Sequence, residues 1–163
     1  MSTIIDNLVT DRTQADVERV KALAAKGFAA MTSDEQAEWL AGMKGAYNAA
    51  DLNRVGTALN YLAARLSSIC GKSITWTAKT DWAVTDIITA SQAAEYRQQI
   101  QDIRDALAYP AGTPDAPQLA RLTYTDANNI ERILKLCEDL IVNVAKSFRH
   151  TGAAECAAGG LLT

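Results

Sequence analysis

The groups in this chain that could carry chemistry are few. His150 is the only histidine, so any Cys/His or Ser/His nucleophile arrangement would have to converge on it, and nothing nearby in the sequence orients its ring. It falls near the end of a helical pattern, where a cation is favoured by the helix dipole, and a surface charge is the plainer reading. The three cysteines, Cys70, Cys137 and Cys156, are odd in number and lack a C-x-x-C spacing. They suggest neither a disulfide framework nor a zinc knuckle, and read as reduced, mostly buried thiols. Glu138 and Asp139 are adjacent, which on a helix splays them by about 100°, so they read as a solvated face and not an acid/base pair. Gly159-Gly160 lacks the preceding strand and following lysine of a phosphate loop. Asp81 and Asp86 flank Trp82 and offer oxygen ligands, but no further acidic residue stands at ligand spacing, so no metal is expected. These residues predict no enzyme and no cofactor.

What remains is aromatic. Trp76 and Trp82 lie in residues 72–90, KSITWTAKTDWAVTDIITA, which the β-branched and aromatic run Ile74, Thr75, Trp76, Thr77 marks as extended, with a small hairpin as one option. Tryptophan is a frequent interface anchor, which makes Trp76, Trp82, Asp81 and Asp86 candidates for a docking site. The alternative is that Trp82 folds back and closes one end of the helices.

Helices must position that loop. Residues 48–69 place Leu52, Val55, Leu59, Leu62, Leu66 and Ile69 at 3-4-3-4-3 spacing, with Asn53, Arg54, Asn60 and Arg65 between them as a solvated face. Asn48 caps this helix with Asp51 three residues on, and Gly71 ends it. Before it, Thr13 with Asp16 starts a helix running to about residue 30 through Val17, Val20, Ala24, Phe28 and Met31. Ser33 with Gln36 starts a short one that buries Trp39, Leu40 and Met43. After the loop, Thr89 with Gln92 opens a helix through Tyr96, Ile100, Ile103 and Leu107, and Pro110 stops it. The segment 110–121 is a proline-bearing surface linker. Thr125 or Asp126 then caps a fifth helix with a broad stripe from Ile130 to Phe148, wide enough to meet neighbours on two sides. Residues 1–12 read as an arm packed on something else. Residues 152–163 read as a flexible tail, in which Leu161 and Leu162 are either disordered or a plug for a partner.

The expected fold is therefore all-α: one domain over 1–163, an antiparallel bundle of about five helices with one extended, tryptophan-containing loop. A length of 163 residues suffices for one core without a staple. The net charge of −3 and scattered lysines and arginines leave no footprint for nucleic acid. No run suits a membrane span and the N-terminus lacks a signal-peptide pattern, so no membrane partner is expected.

Several segments together resemble a family of small proteins encoded by tailed bacteriophages and prophages. They are Thr10-Asp11-Arg12-Thr13 with Asp16-Val17; Leu40 to Asn48; Asp51 to Val55; Lys79 to Trp82 with Asp86-Ile87; and Leu122-Thr123-Tyr124 with Ala127-Asn128 and Ile130-Glu131. The match spans nearly the whole chain. It departs at Phe148-Arg149-His150-Thr151-Gly152, where the family tends to show an aromatic pair followed by Ser-Gly-Glu. The resemblance implies a non-enzymatic structural protein of the tail or baseplate region, present in the virion and assembled in the host bacterial cytoplasm. Its partners would be copies of itself and other phage structural proteins. The alternative is a soluble phage accessory protein that binds a host factor or small ligand.

Overall fold

The computed structural model describes the backbone of residues 2–159 and the side chains of residues 2–148. Among the described residues the fold is all helical, with six α-helices and no strand: α1 (Thr3–Asp6), α2 (Gln14–Lys26), α3 (Ser33–Ala41), α4 (Ala49–Cys70), α5 (Ala90–Asp105) and α6 (Tyr124–Gly159). The starts follow the caps. Thr13 with Asp16, Asn48 with Asp51 and Thr89 with Gln92 each form the reciprocal capping box that the sequence predicts. Two starts differ by a residue or more. Thr32 with Glu35, not Ser33 with Gln36, caps α3, and Thr123 with Asp126 caps α6. In both places neighbouring hydroxyls compete, and the winner is the one with a carboxylate three residues on to return the bond.

The central seam is present. Val55, Leu59, Leu62 and Leu66 of α4 pack against Ile100 and Ile103 of α5 and Ile130, Ile133, Leu134, Cys137 and Ile141 of α6, all fully buried. Burying one such side chain stabilises the fold by about 1.5–3 kcal/mol, so this interface dominates the stability. Ile5 of α1 and Leu8 join the same core, so the N-terminal arm packs on α4 and α6. A smaller cluster of Leu23, Met31 and Met43 with Val20 and Trp39 holds α2 and α3 together. Here the structure departs from the predicted pattern. Gly27, at φ +77°, ends α2 at Lys26, Phe28 follows in a short 3-10 turn at 45% exposure, and Leu40 is 74% exposed.

The expected antiparallel arrangement is not what the long helices adopt. Arg54 Nε donates to Glu131 Oε2 (3.0 Å) and Tyr61 Oη to Glu138 Oε1 (3.3 Å), and both pairs are 77 residues apart. Seven residues forward along α4 is therefore seven forward along α6. On α5, Tyr96 lies near Glu131, and Ile103 O accepts from Tyr109, whose hydroxyl lies beside Cys137. So α4, α5 and α6 all point the same way. Short loops would force neighbours antiparallel, but residues 71–89 and 106–123 are long enough, when extended, to cross back over the full length of a helix. Both do so. Residues 78 and 82 meet α4 at Asn60 and Asn53, and residues 113 and 116 meet α5 at Arg104 and Arg97, each pair in descending order along the helix.

The last correction concerns the end of the chain. Residues 152–159, expected as tail, continue α6 as helix to Gly159. Leu161 and Leu162 lie outside the described residues.

Candidate functional site

The most concentrated chemistry is a buried charge cluster beside the N-terminal end of α4. Arg12 donates through one guanidinium nitrogen to Asp51 Oδ1 (2.9 Å) and Glu131 Oε1 (2.6 Å), and through another to Val9 O (2.7 Å). Arg54 bonds both oxygens of Glu131, at 3.0 and 2.7 Å, and also reaches Asp51. Glu131 is completely buried and Arg12 nearly so, at 4% exposure. Two cations face two carboxylates, so the cluster is neutral, and its burial is offset by this pairing, although Arg12 Nε is buried without a hydrogen-bond partner. Burial opposes the charge on Arg54, yet the bonds to Glu131 and then Asp51 prevail and raise its pKa. Beside it Arg12 lies over the Tyr47 ring, and Tyr47 shares a 2.6 Å hydroxyl contact with Tyr96. Burial pushes both phenols above their ordinary range, so both stay neutral. With every carboxylate matched by a guanidinium, the cluster is built as a latch. It ties the arm to α4 and α6 and holds no free base.

A second device holds the extended segments. Asn53 accepts from Trp82 N (2.7 Å) and donates to Trp82 O (2.9 Å). Asn60 does the same with Ala78, at 2.7 and 2.9 Å, and Asn128 with Arg12, at 3.0 and 2.9 Å. Each carboxamide presents one acceptor and one donor in the plane, as a neighbouring strand would. Between Asn53 and Asn60 on the same face sits Gly56, where an added Cβ would lie 2.3 Å from Lys79 O. The spacing Asn53, Gly56, Asn60 is thus a saddle for the returning chain. These asparagines, with Arg54 and Arg65, were expected on a solvated face. They are instead half-buried, the asparagines and Arg54 in hydrogen bonds and Arg65 in an ion pair with Glu138 at 3.0 Å, and Glu138 is itself buried at 3% exposure.

The predicted docking residues separate accordingly. Trp82 is 8% exposed, under Lys79, whose ammonium stands 5.0 Å from the ring centre. It closes against α4, the alternative open in the sequence. Trp76 is half-buried and donates to Asp102 Oδ2 at 2.7 Å, tying the loop to α5. Asp81 is exposed and pairs with Lys79, which lowers its pKa. Asp86 accepts from Ala83 N at 3.0 Å and so closes a turn. Asp81 and Asp86 thus serve local contacts and share no ligand between them. Among the described residues no group of three or more His, Cys, Asp or Glu is arranged to hold a metal.

The exposed apolar surface is supplied by residues that the sequence reading passed over or assigned to the core. Val84 is 96% and Ile87 89% exposed on the loop just past Trp82, and Leu40 is 74% exposed at the end of α3. Leu40 and Val84 border a cleft of about 390 Å³ with Val20, Trp39, Met43 and Ala46 among its lining, and no charged residue. Asn48 and Ala50 at the start of α4 complete it. The signal in the sequence was Val84 and Ile87 beside a turn with no helical or alternating partner to cover them. Among the described residues no helix is long and apolar enough to cross a membrane. Compared with known proteins, the chain matches no family model, no curated protein and no solved structure.

Proposed function

We propose that this chain is a non-enzymatic virion component of a tailed bacteriophage, associated with the tail or baseplate, that works as a helical packing and docking module in a symmetric assembly. The observation that carries the reading is where the resemblance residues go. Arg12, Asp51, Arg54, Asn128 and Glu131 come from three distant segments and meet in one charge-balanced network, while Asn53 grips Trp82. Residues committed to such contacts hold a shape and leave no group free for a reaction. The exposed Leu40, Val84 and Ile87 then offer that shape an apolar contact.

Mass spectrometry and electron cryomicroscopy of purified particles test the reading. The chain should be present at a fixed copy number, as density in the tail or baseplate. Its absence from particles, together with a strictly monomeric purified protein, would overturn it. The cleft beneath Leu40 favours the second reading, an accessory protein that takes a small ligand or host factor. That reading requires a molecule retained in the cleft through purification.

A further inference from the structure

Residues 14–43 form a lobe joined to the rest of the molecule by little more than the chain. Among the described residues, every hydrogen bond and ion pair that the lobe makes ends within residues 13–46. They include the capping boxes of α2 and α3, Arg19 with Glu35 and Glu38, and Lys26 with Glu35. The apolar contacts divide in the same way. Within its own span α2 buries Leu23 alone and α3 buries no residue, and Leu23 packs with Met31, Met43, Val20 and Trp39 in a cluster separate from the main core. Neither helix packs lengthwise on α4, α5 or α6. The seam between lobe and body is instead a row of clefts, about 390 Å³ between Trp39 and Val84, about 310 Å³ between Met43 and Ala50, and about 280 Å³ between Val17 and Tyr124. Surfaces held apart in this way forfeit the burial and dispersion that a packed interface gains.

The lobe's two connections leave the body side by side, and both are pinned. Lys44 pairs with Asp11 across them at 2.8 Å, and Gly45 lies so close to Asp16 that an added Cβ would stand 2.1 Å from its carbonyl oxygen. One connection carries Arg12 into the charge cluster, and the other carries Tyr47 beneath it, with the ring centre 5.6 Å from the guanidinium carbon. The arm before Arg12 falls on the firm side of this boundary. Ile5 and Leu8 belong to the main core, and the Val9 and Arg12 amides donate to Glu131 and Asn128 of α6 at 2.5 and 3.0 Å. We propose that residues 14–43 are a hinged lid that opens as one unit about residues 12–13 and 44–47 while the arm and the three long helices stay closed. Opening merges the clefts and uncovers the first turns of α4 and α6, at Asn48 and Ala50 and at Tyr124 and Ala127. An internal segment thus opens before a terminus, the reverse of the fraying that chain ends usually show.

Native-state hydrogen exchange of the purified full chain at neutral pH, read residue by residue, tests the lid and needs no partner. Amides inside α2 and α3 should share one opening equilibrium, at least about a hundredfold more favourable than that of the α4 and α6 amides. The Val9 and Arg12 amides should exchange with the slow group. Two variants separate a lid from general softness. Leu23→Ala, in the lobe's own cluster, should speed exchange in α2 and α3 at least about thirtyfold, or leave them unprotected, with α4, α6, Val9 and Arg12 unchanged. Ile133→Val, in the main core, should speed α4 and α6 by about two- to twelvefold and leave α2 and α3 as they were, because the closed and opened states lose the same contact. Exchange of α2 and α3 at the rate of α4 and α6, exchange of Val9 and Arg12 together with α2, or a variant that speeds both groups alike would each overturn the proposal.

Discussion

Replacing Gly56 with alanine should destabilise this protein, against the sign that helix propensity gives. Alanine is better than glycine by about 1 kcal/mol in an exposed helix interior. At Gly56, however, the new methyl would stand 2.3 Å from Lys79 O, more than an ångström inside ordinary contact, and 3.3 Å from Lys79 C. The obstacle is backbone, so it cannot swing aside as a side chain would. Forcing a methyl into a filled site costs about 1–3 kcal/mol. If the segment lifts, the four bonds from Asn53 and Asn60 to Trp82 and Ala78 are strained, each contributing about 1 kcal/mol. The net expectation is a loss of about 1–3 kcal/mol, or a fall in Tm of about 2–12 °C at 2–4 °C per kcal/mol. Thermal unfolding followed by circular dichroism measures it, with Thr57→Ala, an exposed neighbour on the same helix, as the control that should be neutral or slightly stabilising. Hydrogen exchange adds a local readout, because the Ala78 and Trp82 amides should be protected in wild type and exchange faster in the variant. A Gly56→Ala protein that melts higher, with those amides still protected, would refute the saddle.

The other expectations concern charge and titration. Arg12→Ala leaves Glu131 buried with only Arg54 and should cost about 3–5 kcal/mol in urea unfolding. The arm should also become cleavable by protease ahead of global unfolding, and an arm that stays resistant would argue against the latch. Burial pushes the Cys137 thiol up to about 11, so at pH 8 Cys70 should alkylate in the folded protein while Cys137 does not. Since the folded value lies above the unfolded one, that contribution to stability is complete below about pH 8.5 and declines as pH rises toward 11. Urea midpoints at pH 8 and pH 10 check the direction. The cap carboxylates behave oppositely: Thr13 hydrogen bonds hold Asp16 below its ordinary range, and Lys26 does so for Glu35. Their contribution is present above the unfolded carboxylate values and lost as pH falls below about 4. Amides of α2 and α3 should lose protection there before those of α4, and simultaneous loss would contradict the reasoning.

Most of the helix positions were legible because a cap is a local device. Thr13, Asn48 and Thr89 each bond a residue three places on, so their meaning lies within one turn of sequence. The α4 seam was legible for the same reason. Helix direction was not, because it depends on whether connections such as 71–89 turn sharply or run back extended, and apolar spacing reads the same in either case. The charge cluster was hidden by distance, since Arg12 lies 39 residues from Asp51 and 119 from Glu131, and a charged residue on a helix ordinarily faces water. The Asn53, Gly56, Asn60 stripe was visible in principle. A mid-helix glycine flanked at i−3 and i+4 by carboxamides marks a face where another backbone lies close, and such a pattern is worth seeking in other helical chains.

The common direction of α4, α5 and α6 gives the molecule an electrical axis. Each helix carries about half a positive charge at its first turn and half a negative charge at its last. In an antiparallel bundle these cancel between neighbours, but here they add, in spite of a net charge of only −3. Two such molecules set side by side in the same sense repel, whereas one placed beyond the other on a shared axis attracts. Two copies set side by side in opposite senses would attract as well, so the axis disfavours only the side-by-side pairing in the same sense, and raising the ionic strength should weaken that bias without disturbing the buried core.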